Sequence, residues 1–273
     1  MRAWIAGRTR TQTKKDDSFL NENYLGVAPS PQHALDLFDG EWTSRLPAPL
    51  NELKAGNVPL FQDHRAAWGI RELGGVAGQS VLELGPLEGG HSAMLEQAGG
   101  RVLAVEANRR AYLRCLVTKE LLGLSKARFL LGDFMPFLRD LNETFDVCWA
   151  SGVLYHQVQP AELIALARQS ARKLFLWTHY YDHRELAKKP SLFVRFNDAG
   201  KFEYKGFRHR LHRFEYGEGL AAKSFCGGSA AYGHWLTRDD LLACLTYFGW
   251  HSIRVGEDVP DHPNGPCLTL IAE

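Results

Sequence analysis

The five cysteines of this chain, Cys115, Cys148, Cys226, Cys244 and Cys267, are odd in number and include no Cys-x-x-Cys pair. That spacing excludes a disulfide framework and a paired-cysteine zinc or redox motif. Because most of them stand in apolar runs, they are expected to be reduced core residues of a cytoplasmic protein. No apolar run approaches the roughly 20 residues that a membrane-crossing helix needs. Excess charge of one sign is missing too: 32 Lys and Arg face 31 Asp and Glu, for a net charge of +1. A global attraction to nucleic acid or membrane is thereby removed. The cations at the amino end, Arg2, Arg8, Arg10, Lys14 and Lys15, are followed by no apolar core. They are expected to form a surface-docked end or a basic arm and not a secretory signal.

What is present is a series of short apolar runs with polar or small residues at their carboxyl ends. Val81–Leu84 breaks into Gly85-Pro86-Leu87-Glu88-Gly89-Gly90, and Val102–Val105 ends in Glu106, 21 positions after Gly85. A third run, Ala127–Leu131, ends in Gly132-Asp133-Phe134, and a fourth, Phe145–Ala150, in Ser151-Gly152-Val153-Leu154-Tyr155-His156. Open parallel sheets bind ligands at such carboxyl ends. Glycine suits the first turn because a Cβ would hold the backbone away from a ligand, while the following helix aims free N–H groups at it. An acid ending the next strand can accept two hydrogen bonds from a ribose diol.

These motifs resemble those of the class I S-adenosylmethionine-dependent methyltransferases, over about residues 58–178 and 237–273. The resemblance implies an α/β, Rossmann-like, seven-stranded doubly wound sheet with an antiparallel last strand. It implies S-adenosylmethionine as cofactor, with the first turn cradling its methionine part through Glu83, Gly85 and Gly89. Glu106 would then hold the ribose, and Asp133 would meet the adenine amino group, with Phe134 beside the base and Ser151 at the next strand end. One position departs from the family's Gly-x-Gly-x-Gly pattern, since Leu87 replaces the middle glycine. The string Gly152-Val153-Leu154-Tyr155-His156 also resembles that of the tRNA wobble-uridine carboxymethyltransferases, which read a carboxylated form of the cofactor.

The flanking segments divide the chain into an extension over 1–56, a sheet domain over 57–178 and 237–273, and an inserted cap over 179–236. A short helix is expected near 32–39, one from Leu60 to Leu73 leading into the first strand, and others over Arg109–Leu122 and Pro160–Arg172. In the Leu60–Leu73 segment, Phe61, Arg65 and Trp68 are candidates for the cofactor's edge or for the core. Lys173–Thr178 is a fifth buried strand, Thr237 caps a further helix, and Trp250–Val255 and Pro266–Ile271 close the sheet. The insertion is too long for a plain connection. Lys201–Tyr216 reads as two strands around Lys205-Gly206, and Phe225–Trp235 as a small-residue loop over the site.

Methyl transfer from a sulfonium is an in-line displacement, so the protein must position the acceptor, exclude water and remove a proton where needed. His156 and His179 are the candidate bases, and Tyr155 is the residue that positions the acceptor. No metal is expected, although His179, Asp182 and His183 have a spacing that a metal site could use. The acceptor is expected to be an O or N atom of a small molecule: a metabolite, sugar or natural product. RNA is the alternative partner through the basic 201–216 hairpin. A non-catalytic binding protein on the same fold is the third reading, and a homo-oligomer is compatible with all three.

Overall fold

The computed structural model describes residues 23–273 other than 198 and 224. The basic cluster Arg2, Arg8, Arg10, Lys14 and Lys15 therefore lies outside the described residues. Seven strands form one sheet: β1 (Ser80–Leu84), β2 (Arg101–Glu106), β3 (Ala127–Leu131), β4 (Phe145–Ser151), β5 (Ala171–His179), β9 (Ile253–Val259) and β10 (Cys267–Ala272), in the order β3-β2-β1-β4-β5-β10-β9. β1 to β5 run parallel, and β10 is antiparallel to both its neighbours. The crossover reverses between β1 and β4, which opens a crevice at their carboxyl ends.

Side-chain alternation explains why these short runs become buried strands. Leu82, Cys148, Leu174 and Leu270 pack on one side against Leu163 and Ile164 of α6 (Pro160–Ser170) and Leu241 and Leu245 of α9 (Arg238–Tyr247). Val81, Val147, Phe175 and Ile271 pack on the other, against Ala66, Leu95 and Cys115. Those three belong to α2 (His64–Glu72), α3 (Gly90–Gln97) and α4 (Arg109–Leu122). The Asn108 side chain caps the start of α4, and Gly123, at φ 65°, ends it.

Some expected boundaries shift for identifiable reasons. The Leu60–Leu73 segment is not one helix: a single 3₁₀ turn ends at Gln62, and Asp63 then caps α2 through the Arg65 amide. The first short helix, α1, is Pro31–Asp36. The insertion contains α7 (His183–Ala187), α8 (Pro190–Phe193) and a second sheet of β6 (Gly200–Tyr204), β7 (Phe207–Glu215) and β8 (Tyr232–Trp235). Lys205-Gly206 makes the β6–β7 turn as expected, but the Phe225–Trp235 run, expected to be a loop, ends in the third strand, β8. Phe207 and Leu211 of β7 join the main core, whereas Leu186, Phe214, Tyr216 and Trp235 form a smaller core of the insertion.

Residues 41–44, ahead of the sheet, are pinned by charge. Glu88, in the glycine turn, accepts from the Thr43 and Ser44 amides at 2.8 Å each, and Arg114 bonds Glu41 at 3.0 Å. Among the described residues no helix is long and apolar enough to cross a membrane. Four cysteines are buried as expected, and Cys226 is exposed on the insertion.

Candidate active site

A cavity of about 350 Å³ opens at the carboxyl ends of β1 to β5. Glu83, Gly85, Glu106, Asp133, Phe134, Ser151, Tyr155 and His156 all line it, so most of the residues singled out from the sequence meet in one place. Gly89 stands behind the wall: at φ 79° it starts α3, and Gly90 supplies the lining. Gly85, at φ 65°, leaves no room for a side chain, since a Cβ would come within 2.7 Å of Val153 Cγ1. Leu87 holds φ 57° at the departure from the glycine pattern, and its amide donates to Glu106 Oε2 at 3.1 Å.

The three carboxylates differ in their surroundings. Glu106 also accepts from the Asn108 amide at 2.8 Å, so each of its oxygens holds one backbone bond and retains a lone pair. Burial raises its pKa against those amides. Glu83 is fully enclosed and accepts from the Ser92 hydroxyl, and burial pushes its pKa up to about 7. Asp133 uses Oδ1 to cap α5 (Phe134–Asp140) through the Met135 amide at 2.8 Å. Its Oδ2 accepts from Ser229 Oγ of the insertion at 3.1 Å.

At the cavity wall a chain of bonds fixes a cation. The Trp149 indole donates to His91 Nδ1 at 3.1 Å, so the His91 Nε2–H points at Asp63 Oδ2, 3.0 Å away. Asp63 grips the Arg65 guanidinium through Nε at 2.9 Å. Burial alone would raise the Asp63 carboxyl, but bonds from His91 and Arg65 overcome it and hold the group well below the usual carboxylate range. The Arg65 guanidinium carbon lies over the Trp177 ring, 4.3 Å from its centre, and both residues line the cavity. Phe61 and Trp68 serve the core instead.

At the far end, His156 Nδ1 lies 2.6 Å from the Tyr216 hydroxyl. His156 is half-exposed to the cavity, yet protein encloses its ring, and this burial pushes its pKa down to about 3. Burial likewise drives the Tyr155 hydroxyl far above the usual phenol range. The insertion presses directly on this turn. A Cβ on Gly233 would sit 2.3 Å from the Tyr155 carbonyl oxygen, and one on Gly228 would sit 2.6 Å from that of His156.

His179, the second expected base, is not a lining residue. It lies two positions beyond Trp177, where it stacks on Trp235 of the insertion at 4.9 Å and meets the Tyr155 ring at 4.7 Å. The His179–Asp182–His183 spacing does not converge either. Asp182 caps α7 through the Arg184 and Glu185 amides, and the exposed His183 bonds Tyr181. In the basic hairpin, Arg208 pairs with Glu203 and Arg213 with Glu215.

Trp177 and Tyr216 are the residues that local sequence patterns do not single out; Arg65 lines the cavity, the first of the two roles expected for it, and Phe225–Ser229 belongs to the loop expected over the site. His91 had a legible signal: it follows Gly90 in the first turn of α3, where a side chain faces the site.

No family profile and no curated protein matches this chain. Solved structures do. The N-terminal domain of EvdMO1, crystallised with S-adenosylhomocysteine (SAH) and D-fucose, superposes with a TM-score of 0.67 at 20% identity, covering 89% of this chain and 94% of that one. A Burkholderia thailandensis 1,6-didemethyltoxoflavin-N1-methyltransferase with its substrate and SAH gives 0.53 at 15% identity, covering 91% and 92%. Magnesium protoporphyrin IX methyltransferase from Synechocystis PCC 6803, with bound SAH, gives 0.52 at 16%, covering 94% and 92%. The chain thus has the fold of S-adenosylmethionine-dependent methyltransferases.

Proposed function

We propose that this chain is an S-adenosylmethionine-dependent methyltransferase that methylates an oxygen or nitrogen of a small molecule. The observation behind the reading is the convergence of Glu83, Glu106 and Asp133, from three adjoining strands, on a single cavity bounded by a glycine turn. The donor set fits the cofactor: Glu106 keeps a lone pair on each oxygen for a ribose diol. Asp133 can accept from an adenine amino group once Ser229 releases it, with Phe134 alongside the base. Glu83 provides a carboxylate for an ammonium, and Arg65 a fixed fork for a carboxylate. The bound cofactor would supply an electrophilic methyl group on a sulfonium.

The rest of the chemistry belongs to this chain's own side chains. His156 is neutral at working pH and stands at the wall; in the tautomer whose Nδ1–H donates to the Tyr216 oxygen, Nε2 keeps a lone pair that accepts a hydrogen bond from the acceptor and takes its proton only as the methyl transfers. Tyr155 and Trp177 supply aromatic wall to an acceptor, and the Phe225–Ser229 segment, which also lines the cavity, would exclude water. D-fucose and 1,6-didemethyltoxoflavin are small molecules named with two of the similar structures, which agrees with a small acceptor.

The test is turnover with S-adenosylmethionine against a panel of deoxysugars, phenols and heterocyclic amines, read as SAH released. A product with the mass of one added methyl group supports the reading. If none of the panel is methylated while the cofactor still binds, the small-acceptor assignment fails.

A further inference from the structure

Beyond the cavity, the end of β5 and the start of β10 bring together three side chains that the proposed reaction does not use. Cys267 pairs with His179 in the antiparallel register, so the two side chains stand on the same face of neighbouring strands. His262, from the β9–β10 loop, joins them. The ligand atoms of all three lie within 4.8 Å of one another, and this is the cluster of its kind found among the described residues.

We propose that His179, His262 and Cys267 bind one thiophilic divalent cation of the zinc class, which ties the β9–β10 loop to the ends of β5 and β10 behind Tyr155. The His179 ring is already oriented for it. Its Nδ1 lies 2.9 Å from the Gly265 carbonyl oxygen and 3.2 Å from that of Pro266. A carbonyl only accepts, so the proton is on Nδ1 and Nε2 keeps its lone pair. Backbone support of this kind holds metal-bound imidazoles in place. In His262, Nδ1 accepts from the Asn264 amide at 3.2 Å. The ring is therefore a neutral imidazole, and coordination either exchanges that long amide contact or turns the ring.

The donor set selects the metal. Two imidazoles and a thiolate suit zinc or cobalt and disfavour magnesium and calcium, which take oxygen ligands. On binding, the Cys267 S–H bond is replaced by a sulfur–metal bond, and the thiol proton leaves to solvent. Burial and the carboxylates of Glu257 and Asp258 oppose ionisation of the Cys267 thiol, and the Arg65 guanidinium, though paired with Asp63, favours it; the bound cation supplies the remaining pull. The same carboxylates, with Asp261 near His262, favour a cation in the site. Cys267 and His179 are buried and His262 is half-buried, so the loop side is the entry path. Three protein ligands leave a fourth position for water.

The experiment uses the full chain, stripped with a chelator and titrated with cobalt(II) in the absence of cofactor. The expected result is a thiolate-to-cobalt charge-transfer band that saturates at one metal per chain. The band should persist in Cys226→Ser and disappear in both Cys267→Ser and His262→Ala. His262→Ala alters a half-exposed loop residue, so it keeps the test valid if Cys267→Ser fails to fold. Zinc should raise the Tm of the wild type and leave that of His262→Ala unchanged. No band in the wild type, or a band that survives His262→Ala, overturns the proposal.

Discussion

The Nδ1 atom of His156 and the hydroxyl of Tyr216 lie 2.6 Å apart, joining the turn after β4 to the end of β7 in the insertion. In the proposed reaction Tyr216 is a positioning residue for the candidate base. Replacing His156 by Ala should lower kcat on the order of a hundredfold or more, the usual worth of a general base, with SAH affinity nearly unchanged. Tyr216→Phe should lower kcat by about tenfold, close to one hydrogen bond, with little change in KM.

The same pair predicts a pH profile. With its pKa pushed down to about 3, His156 stays neutral throughout the neutral range. It should contribute no acid limb to kcat from roughly pH 5 to 8, the window in which an ordinary imidazole titrates. An acid limb in that window that vanishes in His156→Ala would contradict the buried, neutral base.

Glu83 predicts proton release. Its pKa of about 7 leaves the carboxyl part-protonated at neutral pH, and a ligand ammonium placed beside it favours the ionised form. SAH binding should therefore release protons near pH 7 and tighten as pH rises. Calorimetry in two buffers of different ionisation enthalpy measures this directly. Equal heats in both, or a Glu83→Gln variant with the same proton release as wild type, would remove the carboxylate from the site.

Asp63 is buried between His91 and Arg65, so Asp63→Asn leaves Arg65 without its charge partner. Breaking a buried pair in this way costs about 3–5 kcal/mol. Chemical denaturation should show a loss of that order, whereas a loss under 1 kcal/mol would mean that the network is slack.

How much of this was legible follows from the range of each signal. The glycine turn, the acid at the end of β2 and the alternating apolar strands are local, and the sheet, Glu106 and Asp133 stand where those patterns put them. The partition of the two histidines was not local. Whether a His after a strand faces a ligand or a protein wall depends on Trp235, which is 56 positions from His179 in the chain and stacks on it. Tyr216 reaches the site through the folding of β7, which no periodicity announces, whereas Arg65 stands among the candidates of the Leu60–Leu73 segment. The third strand of the insertion is not legible for the same reason: Tyr232–Trp235 is four residues long and becomes a strand by pairing with β7.

The most direct measurement is calorimetric titration of SAH into the wild type and Glu106→Ala. The account predicts one site in the wild type and binding weaker by roughly a hundredfold in the variant, about 3 kcal/mol for two bonds to a charged group. Absence of binding to the wild type, or equal affinity in the two proteins, would contradict it.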